Sequence, residues 1–130
     1  MKRTLVLLSV IITGLILTAC SNKTVEMGLL QGIVTIGPLS PVENSDERPP
    51  VPCEVYEARK IMVYDESGRN LLHQVDIDCD GRYRVELKPG TYTIDINHIG
   101  IDTSGDVPKQ VEIMPGITFK LDIDIDTGIR

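Results

Sequence analysis

Two rows of alternating aspartates are the first residues in this chain whose type and spacing suggest chemistry. They are Asp76, Asp78 and Asp80, which run into Gly81, and Asp122, Asp124 and Asp126 near the C-terminus. Carboxylate oxygens are the ligands calcium prefers, and D-x-D-x-D-G is how a calcium loop begins. The twelfth position of such a loop needs a bidentate Glu, but here it is Leu87, with Glu86 one place early. The first row is therefore expected to be a solvated strand edge leading into an Asp-Gly turn. In the second row the carboxylates stand about 7 Å apart on one strand face, and Asp102 or Asp106 could join them around a divalent ion. Such a row also keeps an edge strand from pairing with other chains. That is the role expected here, with no metal and no cofactor.

The other reactive side chains point the same way. His73 is expected on the face of Leu71 and Val75, and His98 at a strand end. Neither has a nucleophile or an orienting carboxylate evident in the sequence, and zinc needs three or four ligands. Ser67 and Ser104 fall in turns, where serine bonds to nearby backbone. Tyr83 and Tyr92 pattern as core, and one Phe, Phe119, with no Trp supplies little for stacking on sugars. No catalytic residue is expected. A small hydrolase, the least favoured reading, would need clustered His and Arg.

The three cysteines locate the protein. Lys2 and Arg3 open the chain, Leu5 to Leu17 is apolar, and small residues follow, the layout of a secretory signal. Its end, Leu17-Thr18-Ala19-Cys20, resembles the lipobox of bacterial lipoproteins. The resemblance implies a signal peptide over residues 1–19, cleavage before Cys20, and a diacylglyceryl group on the Cys20 sulfur. Two or more acyl chains, palmitate among them, give stable membrane anchoring where one gives only marginal binding. Residues 20–28 then form a lipidated tether, and residues 29–127 the domain. Loss of Lys2 and Arg3 leaves 11 of the 13 basic residues against 19 acidic ones, a net charge of −8. A domain so acidic repels phosphate backbones, so no nucleic acid is expected as partner. The expected partners are the membrane, through the lipid, and an envelope protein or polymer. The location is the extracytoplasmic side of the cell membrane, or the outer membrane where the cell has one. With Cys20 acylated, Cys53 and Cys79 remain, and an oxidising compartment favours a disulfide between them over two buried thiols.

The elements that must position these residues are strands. Apolar residues alternate through Tyr83, Val85 and Leu87, then Tyr92, Ile94 and Ile96, on either side of Pro89-Gly90. That is the period of half-buried strands. A two-residue turn there sets Leu87 opposite Tyr92, although a turn of that type fits hairpin twist poorly, so the strands can instead splay into different sheets. Leu30, Val34 and Ile36 share a face in an earlier strand, with Gly32 weakening or bulging it. Residues 37–57 hold five prolines and form a long loop. Ala58–Asp65 and Leu71–Asp78 pair around a Glu66-Ser67-Gly68 turn, with Val63 opposite Leu71 and Ile61 opposite His73. The same ladder makes Cys53 a diagonal neighbour of Cys79, about 7–8 Å away, so a bridge needs a local irregularity. Ile99–Pro108 is a second loop. Lys109–Met114 is a strand with Val111 and Ile113 inward. A three-residue turn then sets Ile113 opposite Ile117, with Ile117, Phe119, Leu121, Ile123 and Ile125 all inward. No amphipathic helix is expected. About seven short strands separated by turn signals argue an antiparallel β-sandwich.

The run Asp80-Gly81-Arg82-Tyr83-Arg84-Val85-Glu86-Leu87-Lys88-Pro89-Gly90-Thr91-Tyr92-Thr93-Ile94 resembles the signature of carboxypeptidase regulatory-like domains. The likeness extends from about Gly32 to Ile125. It implies the prealbumin-like (transthyretin-like) sandwich and a non-catalytic binding or structural module. The related hydroxyisourate hydrolases end in Y-R-G-S, whereas this chain ends Asp126-Thr127-Gly128-Ile129-Arg130. The two loops, residues 37–57 and 99–108, are the expected contact surfaces, and a calcium-dependent adhesion module is the alternative.

Overall fold

A computed structural model describes residues 20–43, 46 and 49–130. The expected signal peptide, residues 1–19, lies outside the described residues, as do Glu47 and Arg48 of the long loop. Eight strands and one short helix follow in order: β1 (Gly28–Gly37), α1 (Cys53–Glu57), β2 (Lys60–Tyr64), β3 (Leu71–Asp76), β4 (Arg82–Leu87), β5 (Gly90–Ile96), β6 (Lys109–Ile113), β7 (Thr118–Lys120) and β8 (Ile123–Asp126). They form two packed sheets, the expected sandwich. One runs β3-β2-β5-β6 and is antiparallel throughout. In the other, β1 lies between β4 and the pair β7 and β8.

The core is the set the alternation predicts. Leu30, Val34, Ile36, Tyr83, Leu87, Ile94, Ile96, Val111, Ile113, Leu121, Ile123 and Ile125 are all buried, and Val85, Tyr92 and Phe119 are packed against them at its margin. Burying a Leu or Ile side chain contributes roughly 1.5–3 kcal/mol, so these inward positions dominate the stability of the domain. Ile117 is an exception, 55% exposed, because it lies in the turn ahead of β7 rather than within a strand, and Leu71 and His73 on β3 are exposed as well.

The pairing differs from expectation in four places. First, Pro89-Gly90 joins no hairpin: β4 pairs with β1, with Leu87 facing Gly28, while β5 pairs with β2 and β6 in the opposite sheet. The splayed alternative holds. Second, β6 and β7 are likewise separated, Ile113 facing Gly90 and not Ile117. Third, β7 and β8 run parallel to β1, so the first sheet is mixed and not antiparallel. Fourth, the β2–β3 register is shifted by two: Val63 faces His73 and Ile61 faces Val75, a bulge between Val63 and Tyr64 taking up one residue and a longer turn, with the Asp65 N–H on the Asn70 carbonyl, the other. The β3 ladder ends at Asp76, not Asp78, and His73 is exposed.

The break between β7 and β8 has a local cause. A Cβ on Gly32 would lie 1.8 Å from the Leu121 carbonyl oxygen, so only glycine lets that carbonyl cross over β1. There the buried Tyr83 hydroxyl donates to it at 2.5 Å, and the Asp122 carboxylate accepts the Ile33 N–H at 2.9 Å, replacing a backbone partner. Burial, reinforced by the Asp122 charge, holds the Tyr83 hydroxyl well above its ordinary pKa, so it remains a donor.

Candidate functional site: the loop pole

The strands give the sandwich two ends. At one, the tether enters β1 at Gly28 beside the turn at 114–117, the Gly116 N–H donating to the Met27 carbonyl and the Leu29 N–H to that of Ile117, and the turn at 65–70 lies at the same end of the other sheet. At the other end β1 finishes at Gly37 beside Asp126. Ten residues of β1 separate the ends, about 30 Å at strand rise. The two loops chosen from the sequence meet at this far end.

The first loop is fixed where it begins and where it ends. Thr127 donates its N–H to the Gly37 carbonyl and its hydroxyl to that of Pro38. Glu43 accepts the Leu39 N–H at 2.7 Å. At its far end the chain forms α1, which the sequence reading missed because five residues are too few to show a helical period. Pro52 supplies the φ of −60° from which the helix starts, and Tyr56, the one buried residue of α1, plugs the end of the core. A Cβ on Gly81 would lie 2.7 Å from the Val34 carbonyl and 3.1 Å from the Tyr56 ring, and Gly81 has a φ of +80°. The Asp-Gly turn therefore requires its glycine twice over. Cys53 and Cys79 are bonded, with Cα atoms 4.6 Å apart. The helix replaces the extended ladder that placed them as diagonal neighbours, which is the irregularity the bridge required.

The second loop is held by a buried ion pair. Arg59 donates through Nε to Asp102 Oδ2 at 2.7 Å and through Nη2 to Oδ1 at 3.1 Å, a two-pronged fork. Its Nη1 donates to the Val55 carbonyl in α1. The two side chains are only 12% and 5% exposed. Asn97 adds a polar clamp, accepting the Lys60 N–H and donating to the Ala58 carbonyl. His98, at a left-handed φ of +41°, sets Nδ1 against the Asp102 carbonyl at 3.1 Å and Nε2 against Asp95 at 2.9 Å. Two acceptors favour the doubly protonated ring. The Asp102 carbonyl first, and then the Asp95 carboxylate, raise the His98 pKa above its ordinary value. Nothing in the spacing of Arg59 and Asp102, 43 residues apart, signals this pair.

Apart from Asp80, whose carboxylate has no partner among the described residues, the aspartate rows are committed to structure. Asp76 takes the Lys60 ammonium at 2.5 Å, and Asp78 accepts the N–H groups of Asp80 and Arg82 at 2.9 Å each. Asp124 accepts the Thr35 hydroxyl, and Asp126 accepts the Gly128 N–H and the Arg130 guanidinium. Asp106 joins the second row by accepting the Asp124 N–H, whereas Asp102 is turned inward to Arg59. Loop residue Thr103 pairs with Asp126 and covers the β8 edge. Of the acidic, histidine and cysteine side chains described, only Cys53, Cys79 and Glu57 converge, and the two sulfurs are spent in the disulfide. Ser67 and Ser104 serve their turns, Ser67 donating to Asp65 and Ser104 accepting the Asp106 N–H. His73 stands apart on β3.

Three ion pairs, Arg59–Asp102, His98–Asp95 and Arg130–Asp126, hold the described part of the pole, and both ring nitrogens of His98 are engaged, by Asp95 and by the Asp102 carbonyl. Val42, Ile99 and Ile101 expose apolar side chains there, Val42 being 84% and Ile101 69% accessible. Cys20 is exposed and free where the described residues begin, joined to the opposite end. No described helix is long and apolar enough to cross a membrane. A groove of about 640 Å³ lies elsewhere, on the outer face of the β4-β1-β7 sheet, and it contains neither histidine.

No family model matches the chain, and no curated protein matches it. Among solved structures, the minor pilin of the Gram-positive pathogen Streptococcus agalactiae superposes with a TM-score of 0.54 at 15% identity, over 78% of this chain and 44% of that one. A DUF3823 family protein from Parabacteroides merdae gives 0.44 at 14% identity, over 78% and 47%. The chain spans less than half the length of either. The likeness to the pilin is one of fold.

Proposed function

We propose that this protein is a membrane-anchored lipoprotein whose non-catalytic β-sandwich presents a binding or structural surface at the cell envelope. In this reading residues 1–19 are a signal peptide, Cys20 carries the lipid, residues 20–28 are the tether, and residues 29–127 are a carboxypeptidase regulatory-like domain. The observation that carries the proposal is polarity: the tether joins one end of the sandwich, and the two fixed loops lie at the other. An anchor at Cys20 would hold the loops about 30 Å outward of the tether junction. The Cys53–Cys79 bond supports an oxidising compartment. The exposed apolar side chains of Val42, Ile99 and Ile101 at the loop pole support contact with a partner, an envelope protein or polymer. The pilin of similar fold agrees with a structural or adhesive role.

The test is metabolic labelling with palmitate in cells making the full chain. Label and protein are expected together in the membrane fraction, with both lost from it in Cys20→Ala. Unlabelled wild-type protein in the soluble fraction would end the lipoprotein reading. Crosslinking from Val42 and Ile101 is expected to capture the partner, whereas crosslinks arising only from the tether end would reverse the proposed orientation.

A further inference from the structure

Across the outer face of the first sheet, side chains stand in rows set by the strand register. Arg84 faces Gln31 on β1, and Gln31 faces Lys120 on β7. One row on, Arg82 faces Ile33. These five residues form the floor and flanks of the groove of about 640 Å³, with the Asp76–Asp78 segment as its wall. In the wall, Asp76 is paired with Lys60, and Asp78 is turned to the N–H groups of its own turn. Lys120 reaches Asp122 only at 3.6 Å. Arg82 and Arg84 make no ion pair among the described residues, although the chain has 19 acidic side chains to draw on. Two unpaired guanidinium groups therefore stand side by side on an acidic protein, next to Ile33, which is 43% exposed at the centre of the sheet.

We propose that this groove binds an extended acidic peptide segment, with glutamates at alternate positions. Arg82 and Arg84 are two residues apart on one strand face, about 7 Å, and side chains two apart in an extended peptide repeat at that interval. Each guanidinium offers a planar fork that matches a carboxylate. The methylene stems of the glutamates lie over Ile33, and Gln31 has both an amide donor and an acceptor for the peptide backbone. Lys120 sets the far limit, two strands or about 10 Å from Arg84, and adds a third cation. A floor in which Ile33 is exposed while the Tyr83 ring is buried, its hydroxyl on the Leu121 carbonyl, suits a peptide better than a uronic-acid polymer. The inference does not depend on whether Cys20 is acylated.

The probe is a blocked synthetic peptide, acetyl-Glu-Thr-Glu-Thr-Glu-amide, titrated into the ¹⁵N-labelled mature protein in neutral detergent. Saturable shifts are expected at the amides of Gln31, Ile33 and Arg84. Affinity should fall at least tenfold in the double variant Arg82→Gln/Arg84→Gln and severalfold in 0.5 M salt. The charge-keeping pair Arg82→Lys/Arg84→Lys is expected to lie between, because lysine keeps the attraction but lacks the fork. Its unchanged fold can be checked from the same spectra. Equal binding of a lysine peptide, tighter binding of trigalacturonate, undiminished binding in the glutamine variant, or no shift at millimolar peptide would each overturn the proposal.

Discussion

At the tether end of the sandwich one aspartate organises the β2–β3 turn. The Asp65 carboxylate accepts from the Ser67 hydroxyl and the Asn70 amide at 2.6 Å each, and from the N–H groups of Arg69 and Asn70. At the loop end, segments of up to some twenty residues are held by a disulfide, a buried fork and a plugging tyrosine. The difference follows from chain length between strands. A short turn has little freedom to lose, so hydrogen bonds that are mostly local, joined by those from Thr93 and Gln110 to the Glu66 carbonyl, suffice to fix it. A long proline-rich loop has no ladder of its own and must be fixed by contacts distant in sequence.

The comparison can be broken most directly at Asp102. Asp102→Ala leaves Arg59 buried and unpaired, and should cost about 3–5 kcal/mol in denaturant unfolding. Arg59→Met/Asp102→Leu should recover most of it. A loss no larger than that of an exposed turn substitution would show that the fork does not hold the loop. Next is the covalent link. Cys53→Ser/Cys79→Ser opens a closure between residues 26 apart in sequence and is expected to lower stability by about 3.5 kcal/mol. Protease sensitivity should appear first in residues 38–52.

His98 sharpens the comparison through pH. Its folded pKa is raised, so its contribution is whole below the free imidazole value near 6.5 and is lost as pH rises through the folded value. The stability gap between wild type and His98→Gln should be wider at pH 5.5 than at pH 9. The change should be less than about 1 kcal/mol, because the ring is half exposed and screened by solvent. The smallest effect belongs to the tether end. Hydrogen bonds, led by that from Ser67, lower the Asp65 pKa from 3.8 to about 2. Its turn is therefore intact above the unfolded carboxyl value and loosens as pH falls through about 2. A carboxyl NMR titration should give that midpoint, and Ser67→Ala should move it back toward 3.8. Global unfolding should barely register the change, in contrast to Asp102→Ala.

The same contrast explains which parts of the molecule could be read from its sequence. The Asp65 turn was legible in place because Asp65, Ser67 and Asn70 bond to one another locally and Gly68 takes a φ of +73°, although the Glu66 carbonyl also accepts from Thr93 on β5 and Gln110 on β6. The Arg59–Asp102 fork and the groove flanked by Arg82 and Arg84 were not. Each joins residues that approach only when strands far apart in the chain lie side by side. Helix α1 escaped because a helix of five residues held by a proline, a disulfide and one buried tyrosine leaves no period to detect.

Alternation of apolar and polar residues determined which side of each strand is buried, because the direction of successive side chains is a property of the strand itself. From that alone came the all-β class, the inward set from Leu30 to Ile125, and the two loops that remain outside the sheets. Which strand lies beside which was decided only in three dimensions. The inward face of β4, β5, β6 or β7 looks the same to a neighbour in either sheet, so the sequence pattern is satisfied equally by a hairpin at Pro89-Gly90 and by a crossing there. Closure of both layers over a single core, with Gly32 admitting the Leu121 carbonyl and β1 accepting parallel partners, selected the crossing.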